Sequence, residues 1–196
     1  MVITFFRSHF SGVLRRANLL AIFNLAYFCS ILVTALIASY LLPPIAYEAW
    51  SPEIFEPLVS SGPVGMAIEI FLFNLIISGF LVVTLPGLIF FPLSAAALLA
   101  RAVLWGLLLY PLPISVFLVA LPTLVFEGEA YVLAAVAGTR VGASWFKPSW
   151  LYGGEEGLSR WNALKRTFGE FKRLYFFVIL LLFVAAVVEA LTIVAF

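Results

Sequence analysis

Aspartate does not occur among the chain's 196 residues, and histidine and cysteine occur once each. The one histidine, His9, lies near the N-terminus, so a single chain offers no His-based metal centre. Cys29, set in an apolar run, excludes an internal disulfide and a cysteine metal cluster, and reads as a small buried hydrophobe. An intramembrane protease would want a Ser/His arrangement or paired aspartates. No hydrolase elbow, phosphate loop, zinc motif or nucleotide fingerprint is present, so neither an enzyme nor a cofactor is expected. Charge is scarce as well. Charged residues make up 11% of the chain and apolar ones 64%, whereas a soluble domain carries roughly 25% charged residues. A net charge of +1, with no basic stripe between aromatic platforms, gives no reason to expect a nucleic-acid partner.

What the chain does have is long apolar runs. At about 20 residues per crossing, it offers five spans. They run from about Asn18 to Leu42, ended by Pro43-Pro44, and from about Val64 to Leu85, stopped by Pro86-Gly87. The next runs from about Leu88 to Tyr110, broken at Pro111-Leu112-Pro113, and is followed by Ile114 to Gly142 and Leu174 to Phe196. The uncharged junction 85–92 is either a surface turn or a break buried in protein. The first apolar run is too long for the core of a signal peptide, so none is expected. The sequence thus predicts an all-α polytopic bundle, one membrane domain over 1–196, with membrane lipids as its surroundings.

Orientation follows from the basic residues. Arg7, Arg15 and Arg16 precede the first span, and Lys147, Arg160, Lys165, Arg166, Lys172 and Arg173 lie between the fourth and fifth, with Arg140 at the edge. The 43–63 loop carries Glu48, Glu53 and Glu56 and no basic residue. Five spans put both basic regions on one side, and the positive-inside rule makes that side cytoplasmic. The C-terminus is then external, in a multi-pass protein of the cell membrane. Within the basic 143–173 loop, Trp161, Leu164, Phe168, Phe171 and Leu174 recur at helical spacing. That pattern predicts an interfacial amphipathic helix over about Leu158 to Tyr175 on the anionic inner leaflet, with a partner-docking helix as the alternative. The amphipathic N-terminus, 1–17, admits the same interpretation.

Ionisable side chains at bilayer depth are costly unless they face one another, a cavity or a ligand, so Arg101, Glu127, Glu129 and Glu189 are the candidate site residues. Glu127 and Glu129 point about 200° apart on a regular helix. Either Pro122 and Gly128 break the helix, as in transporter sites, or the two acids face different neighbours. Arg101 is expected to pair with Glu127, or otherwise with Glu189. The readings of this core are a structural ion pair, then a transport or ligand site, then a proton relay. Glu69 and Asn74 read as helix–helix hydrogen-bonding groups. Ala130, Ala134, Gly138 and Gly142, four residues apart, form a face that lets another helix approach closely, within the chain or between copies.

The run Leu121-Pro122-Thr123-Leu124-Val125-Phe126-Glu127, followed by Ala130, Ala134, Ala137-Gly138 and Val141-Gly142, resembles the central signature of the stage II sporulation protein M family. That signature has Leu-Pro-His-Gly, two residues, Glu, two residues, Ala and a small-residue run. Thr123 stands at the histidine and Leu124 at the glycine, and Arg101-Ala102 replaces an upstream Asn-Gly pair. Asn74 fits a polar residue of the preceding span. Ala185-Ala186-Val187-Val188-Glu189-Ala190-Leu191-Thr192 is similar to the closing pattern. The resemblance covers about Asn74 to Thr192 and implies a helix-only membrane protein. In endospore formers it implies an anchor for cell-wall hydrolases at the engulfing septum; relatives occur in organisms that make no spores. The function expected is a non-enzymatic membrane scaffold or assembly component, working with a membrane protein partner or as a homo-oligomer. The alternative is a small solute or ion transporter that uses the intramembrane Glu/Arg site.

Overall fold

The computed structural model describes residues 16–43, 61–152 and 158–195. Most of the amphipathic N-terminus and of the acidic 43–63 loop, on which expectations were placed above, lie outside them. The described chain is all helix. Five helices are long and apolar enough to cross a membrane: α1 (Arg16–Leu41), α2 (Gly62–Ile89), α3 (Pro92–Leu109), α4 (Ile114–Phe146) and α5 (Arg160–Ala195). Successive helices reverse direction. One end of the bundle therefore carries the start of α1, the α2–α3 turn, the end of α4 and the start of α5. The other carries the end of α1, the start of α2, the α3–α4 turn and the end of α5. These are called here the basic end and the far end.

Each helix boundary has a local cause. Gly62 opens α2 at φ 71°, a left-handed conformation that costs glycine little, and Pro63 follows in the first turn, where its missing N–H is not needed. Between α3 and α4, Leu112 N–H donates to Leu109 O at 3.1 Å and Phe117 N–H to Pro113 O at 3.0 Å, so two prolines turn the chain in four residues. The 85–92 junction is a turn rather than a break, and it comes later than expected, since Pro86-Gly87 does not stop the second span and the third starts at Pro92, not Leu88. Leu85–Ile89 continues α2 as helix, and the chain then turns at Phe90-Phe91. Trp145 Nε1 donates to Leu88 O at 2.8 Å, satisfying a helix-end carbonyl that lipid could not.

The middle of α2, Phe73–Thr84, is π-helical, much longer than the single-turn bulges in which this geometry is mostly seen. Its buried residues are Asn74, Ser78, Gly79, Val83 and Thr84. They recur at intervals of four and five, where α-helical winding would bring back every third or fourth. The wider winding therefore keeps the polar side chains of α2 turned into the bundle. Thr84 Oγ1 closes the segment by bonding Gly79 O at 2.9 Å and, across the interface, Ala134 O at 3.2 Å.

α4 is the central helix and packs against all four others. From Ala130 to Ser144 every residue except Leu133 is buried. Pro122 does not break it, and α4 runs unbroken from Ile114 to Phe146. Leu118, whose carbonyl loses its helical partner, and Pro122 itself are both exposed. Glu127 and Glu129 thus face different neighbours, the second of the two alternatives.

A second correction concerns the expected interfacial helix. Residues 160–175 are the first half of α5, a single 36-residue helix about 54 Å long at 1.5 Å per residue. A continuous helix cannot lie along the leaflet and then turn through the roughly 30 Å core, so its basic half continues the line of the span, with Ala163 and Thr167 buried and Glu170 paired to Arg140 of α4. The short turn Pro148–Trp150 packs on the end of α4 and on Phe91, and Tyr152 packs against the first half of α5. Tyr152 OH lies 2.8 Å from Thr167 Oγ1, and Arg166 stacks over the Tyr152 ring at 4.6 Å. With α4 reaching Phe146 and α5 starting at Arg160, only 147–159 is left as a connection.

Candidate functional site

Three helices bring Arg101, Glu127, Tyr131 and Asn74 together at mid-depth. Arg101, near the middle of α3, donates through Nη2 to Glu127 Oε1 at 2.8 Å and to the Tyr131 hydroxyl at 2.7 Å. Tyr131 follows Glu127 by four residues and so lies on the same face of α4. Its hydroxyl reaches both Glu127 Oε1 and, at 3.1 Å, Asn74 Oδ1 on α2. One hydroxyl has one proton, and the ionised carboxylate is the stronger acceptor. With the Asn74 amide turned, its NH2 becomes a donor to the hydroxyl and the network is consistent. The Arg101 guanidinium also stands 4.0 Å from the centre of the Tyr131 ring, so the cation is held by charge, hydrogen bond and π face. The Glu127 side chain is 3% exposed and that of Arg101 19%.

α1 closes this group on its other side. A Cβ on Gly128 would lie 2.9 Å from Phe28 Cζ and 2.9 Å from Tyr27 Cε1, closer than side chains pack, so glycine is what lets α1 reach the site. Tyr27 is fully buried, and its hydroxyl has no hydrogen-bond partner among the described residues. The same holds for Asn24 Oδ1, one turn away, and for Arg101 Nε. Tyr27 lies within coulombic range of both Glu127 and Arg101.

The small-residue face of α4 is covered within the chain. A Cβ on Gly138 would stand 2.7 Å from Thr84 O and would meet Ser94 Oγ, and one on Gly142 would overlap Gly87 O. The end of α2 and the start of α3 therefore touch α4 almost backbone to backbone at these two positions. Ala130 and Ala134 are wholly buried on the same helix.

The other candidates lie apart from the network or at its edge. Glu69 is exposed on α2 and Glu129 half-buried on α4, and neither takes part in it. Glu189 is half-buried on α5, within coulombic range of Glu127. Sequence reasoning missed a second ion pair: Arg140 of α4 donates from Nε and Nη2 to Glu170 Oε2 of α5, at 3.0 and 2.6 Å. Its signal was available, since Arg140 stands two residues from Gly138 on the closest-packed helix. Tyr131 was legible too, one turn from Glu127. Tyr27 carried no signal. Among the described residues no group of three or more His, Cys, Asp or Glu could hold a metal ion.

No curated protein and no solved structure matches the chain. The family model described as stage II sporulation protein M matches residues 20–192, a stretch that takes in all five spans and both Arg–Glu pairs. The chain belongs to the stage II sporulation protein M family, as a multi-pass membrane protein with two Arg–Glu ion pairs between its helices.

Proposed function

We propose that the chain is a small carrier that binds an ion or small polar solute at the Arg101–Glu127–Tyr131 group. The observation that carries this reading is the pair of buried polar atoms at the ion pair that no described side chain satisfies: Arg101 Nε and Tyr27 OH. A buried polar atom left without a partner costs about 1–3 kcal/mol, so a purely structural pair gains nothing by keeping both. A ligand site needs such atoms open. The scaffold reading leaned on the alanine–glycine face, and that face is already occupied by α2 and α3.

The orientation that accompanies this reading has the N-terminus and the basic end cytoplasmic. It is supported by Lys147, Arg160, Lys165 and Arg166 clustering with Arg16 at one end of the bundle. The proposal is tested by reconstituting purified protein in vesicles and following fluxes of protons, alkali cations and small polar solutes. Flux above that of empty vesicles, lost in Glu127→Gln, is expected. Wild-type flux equal to that of empty vesicles for every solute would overturn it.

A further inference from the structure

The polar group does not balance its charges. Gly79 of α2 marks the level of Tyr131: a Cβ there would lie 3.7 Å from Leu182 Cδ1 of α5 and 3.9 Å from Tyr131 Cε1. From that level towards the far end, Glu127 is one turn along α4, about 6 Å, and Glu189 two turns along α5, about 10.5 Å, at 1.5 Å per residue. Leu182 and Glu189 are seven residues apart and so share a face of α5. The two glutamates therefore differ by about 4.5 Å in backbone level along the axis, and the charge of Glu127 is felt at Glu189.

Glu127 has Arg101 and Tyr131 as partners, whereas Glu189 makes no hydrogen bond or ion pair among the described residues. Arg140 is held by Glu170, and it stands thirteen residues, about 20 Å, along α4 from Glu127. The titratable groups facing the two carboxyls are Tyr27 on α1, Arg101 on α3 and Tyr131 on α4, with Glu129 at the edge; Glu69 on α2 is turned outward. Arg101 is thus engaged by Glu127, and Glu189 is a second carboxyl in an apolar bundle, where an uncompensated anion is costly. The buried, unpartnered hydroxyl of Tyr27 faces the same group.

We propose that Glu189, the carboxyl left beside the Arg101–Glu127 pair, takes up one proton from the far end of the bundle, so that the proton is the ion this site carries. The proposal rests on the carrier reading and names its substrate. Balance is simple: a carboxylate oxygen takes H+ from a hydronium ion at the far end, one O–H bond breaking there as another forms and water being left behind, and the site goes from net −1 to neutral. Glu189 lies nearer the far end of the bundle than Glu127 does, by about 4.5 Å along the axis. A hard metal cation would want six or more oxygen ligands, more than these two carboxyls supply.

The test separates proton binding from transport. In purified protein, infrared difference spectra across an acid titration should show a protonated-carboxyl band from a buried glutamic acid, equivalent to one proton per chain. Glu189→Gln should remove that band and lower proton flux in vesicles at least tenfold, while melting stays near wild type. Should Glu189→Gln fail to fold, Glu189→Asp is used; it retracts the carboxyl by one methylene and should shift the titration midpoint of the band. An unchanged band and unchanged midpoint in the folded variant would overturn the proposal. If the band is absent while another ion or solute moves, proton uptake is refuted and the carrier reading stands. If the band behaves as expected but nothing crosses the vesicle wall, the protonation site stands and transport falls.

Discussion

Removing Arg101 and removing Glu127 should not cost the same, because the two partners are not equally buried. Arg101→Leu strands a carboxylate whose side chain is 3% exposed, with only the Tyr131 hydroxyl left to bind it. Breaking a buried pair from that side costs about 3–5 kcal/mol. In a chain of this size each kcal/mol moves the melting temperature by about 2–4 °C, so a loss of about 6–20 °C is expected. Glu127→Gln leaves behind a guanidinium that is 19% exposed, still bonded to Tyr131 and stacked on its ring, and should cost clearly less. The double variant Arg101→Leu/Glu127→Gln removes the stranded charge and should melt above Arg101→Leu alone, although it carries one more substitution. The measurement is thermal unfolding of the detergent-purified protein, run as a double-mutant cycle. If the double variant melts no higher than Arg101→Leu, or Glu127→Gln proves the worse single change, then Glu127 is not an ionised partner held by Arg101.

The close approaches on α4 make a second prediction: Gly142→Leu, which would overlap the Gly87 carbonyl, should prevent folding, while Gly138→Leu should cost at least the 1–3 kcal/mol typical of overpacking; wild-type melting and elution of Gly142→Leu would mean that α2 does not lie there. A third concerns the basic end, where Arg140→Met should destabilise by less than Arg101→Leu because Glu170 is about a quarter exposed and water can reach it; equal losses on melting would count against that ordering. The fourth is topological: in a Cys29-free background, a cysteine replacing Ser159 should resist a membrane-impermeant reagent in intact cells and react in inverted membranes, and the reverse pattern would invert the orientation.

The spans were legible because bilayer thickness is written directly into the sequence as run length. Arg101 and Glu127 were legible because an ionised side chain in such a run needs a partner. Proline was the misleading signal: Pro122 predicts a break in water, yet α4 continues through it, with Leu118 and Pro122 both exposed. The amphipathic half of α5 was read as a separate element because its composition changes at about residue 174. Hydrogen bonding along a helix takes no notice of such a change. The π segment of α2 was not legible at all. Its winding is fixed by contacts with Ala134 and Tyr175 on other helices, which no local periodicity records.

The burial of α4 has a consequence for how the protein reaches its bilayer. A helix leaving the translocation machinery is judged by how well lipid receives it alone, and α4 carries Glu127, Glu129 and Arg140 across a length that the finished bundle hides from lipid. α5 is the most hydrophobic of the five and α4 the least. α4 therefore depends on the helices made before it: α3 presents Arg101 to Glu127, and α1 offers the surface that Gly128 fits. Glu170, the partner of Arg140, is synthesised only later, and Arg140 lies near the basic end, where the arginine can stay in contact with headgroups until it comes. The order of the helices along the chain is in this sense an order of assembly, with the charge that admits the central helix already in place when that helix arrives.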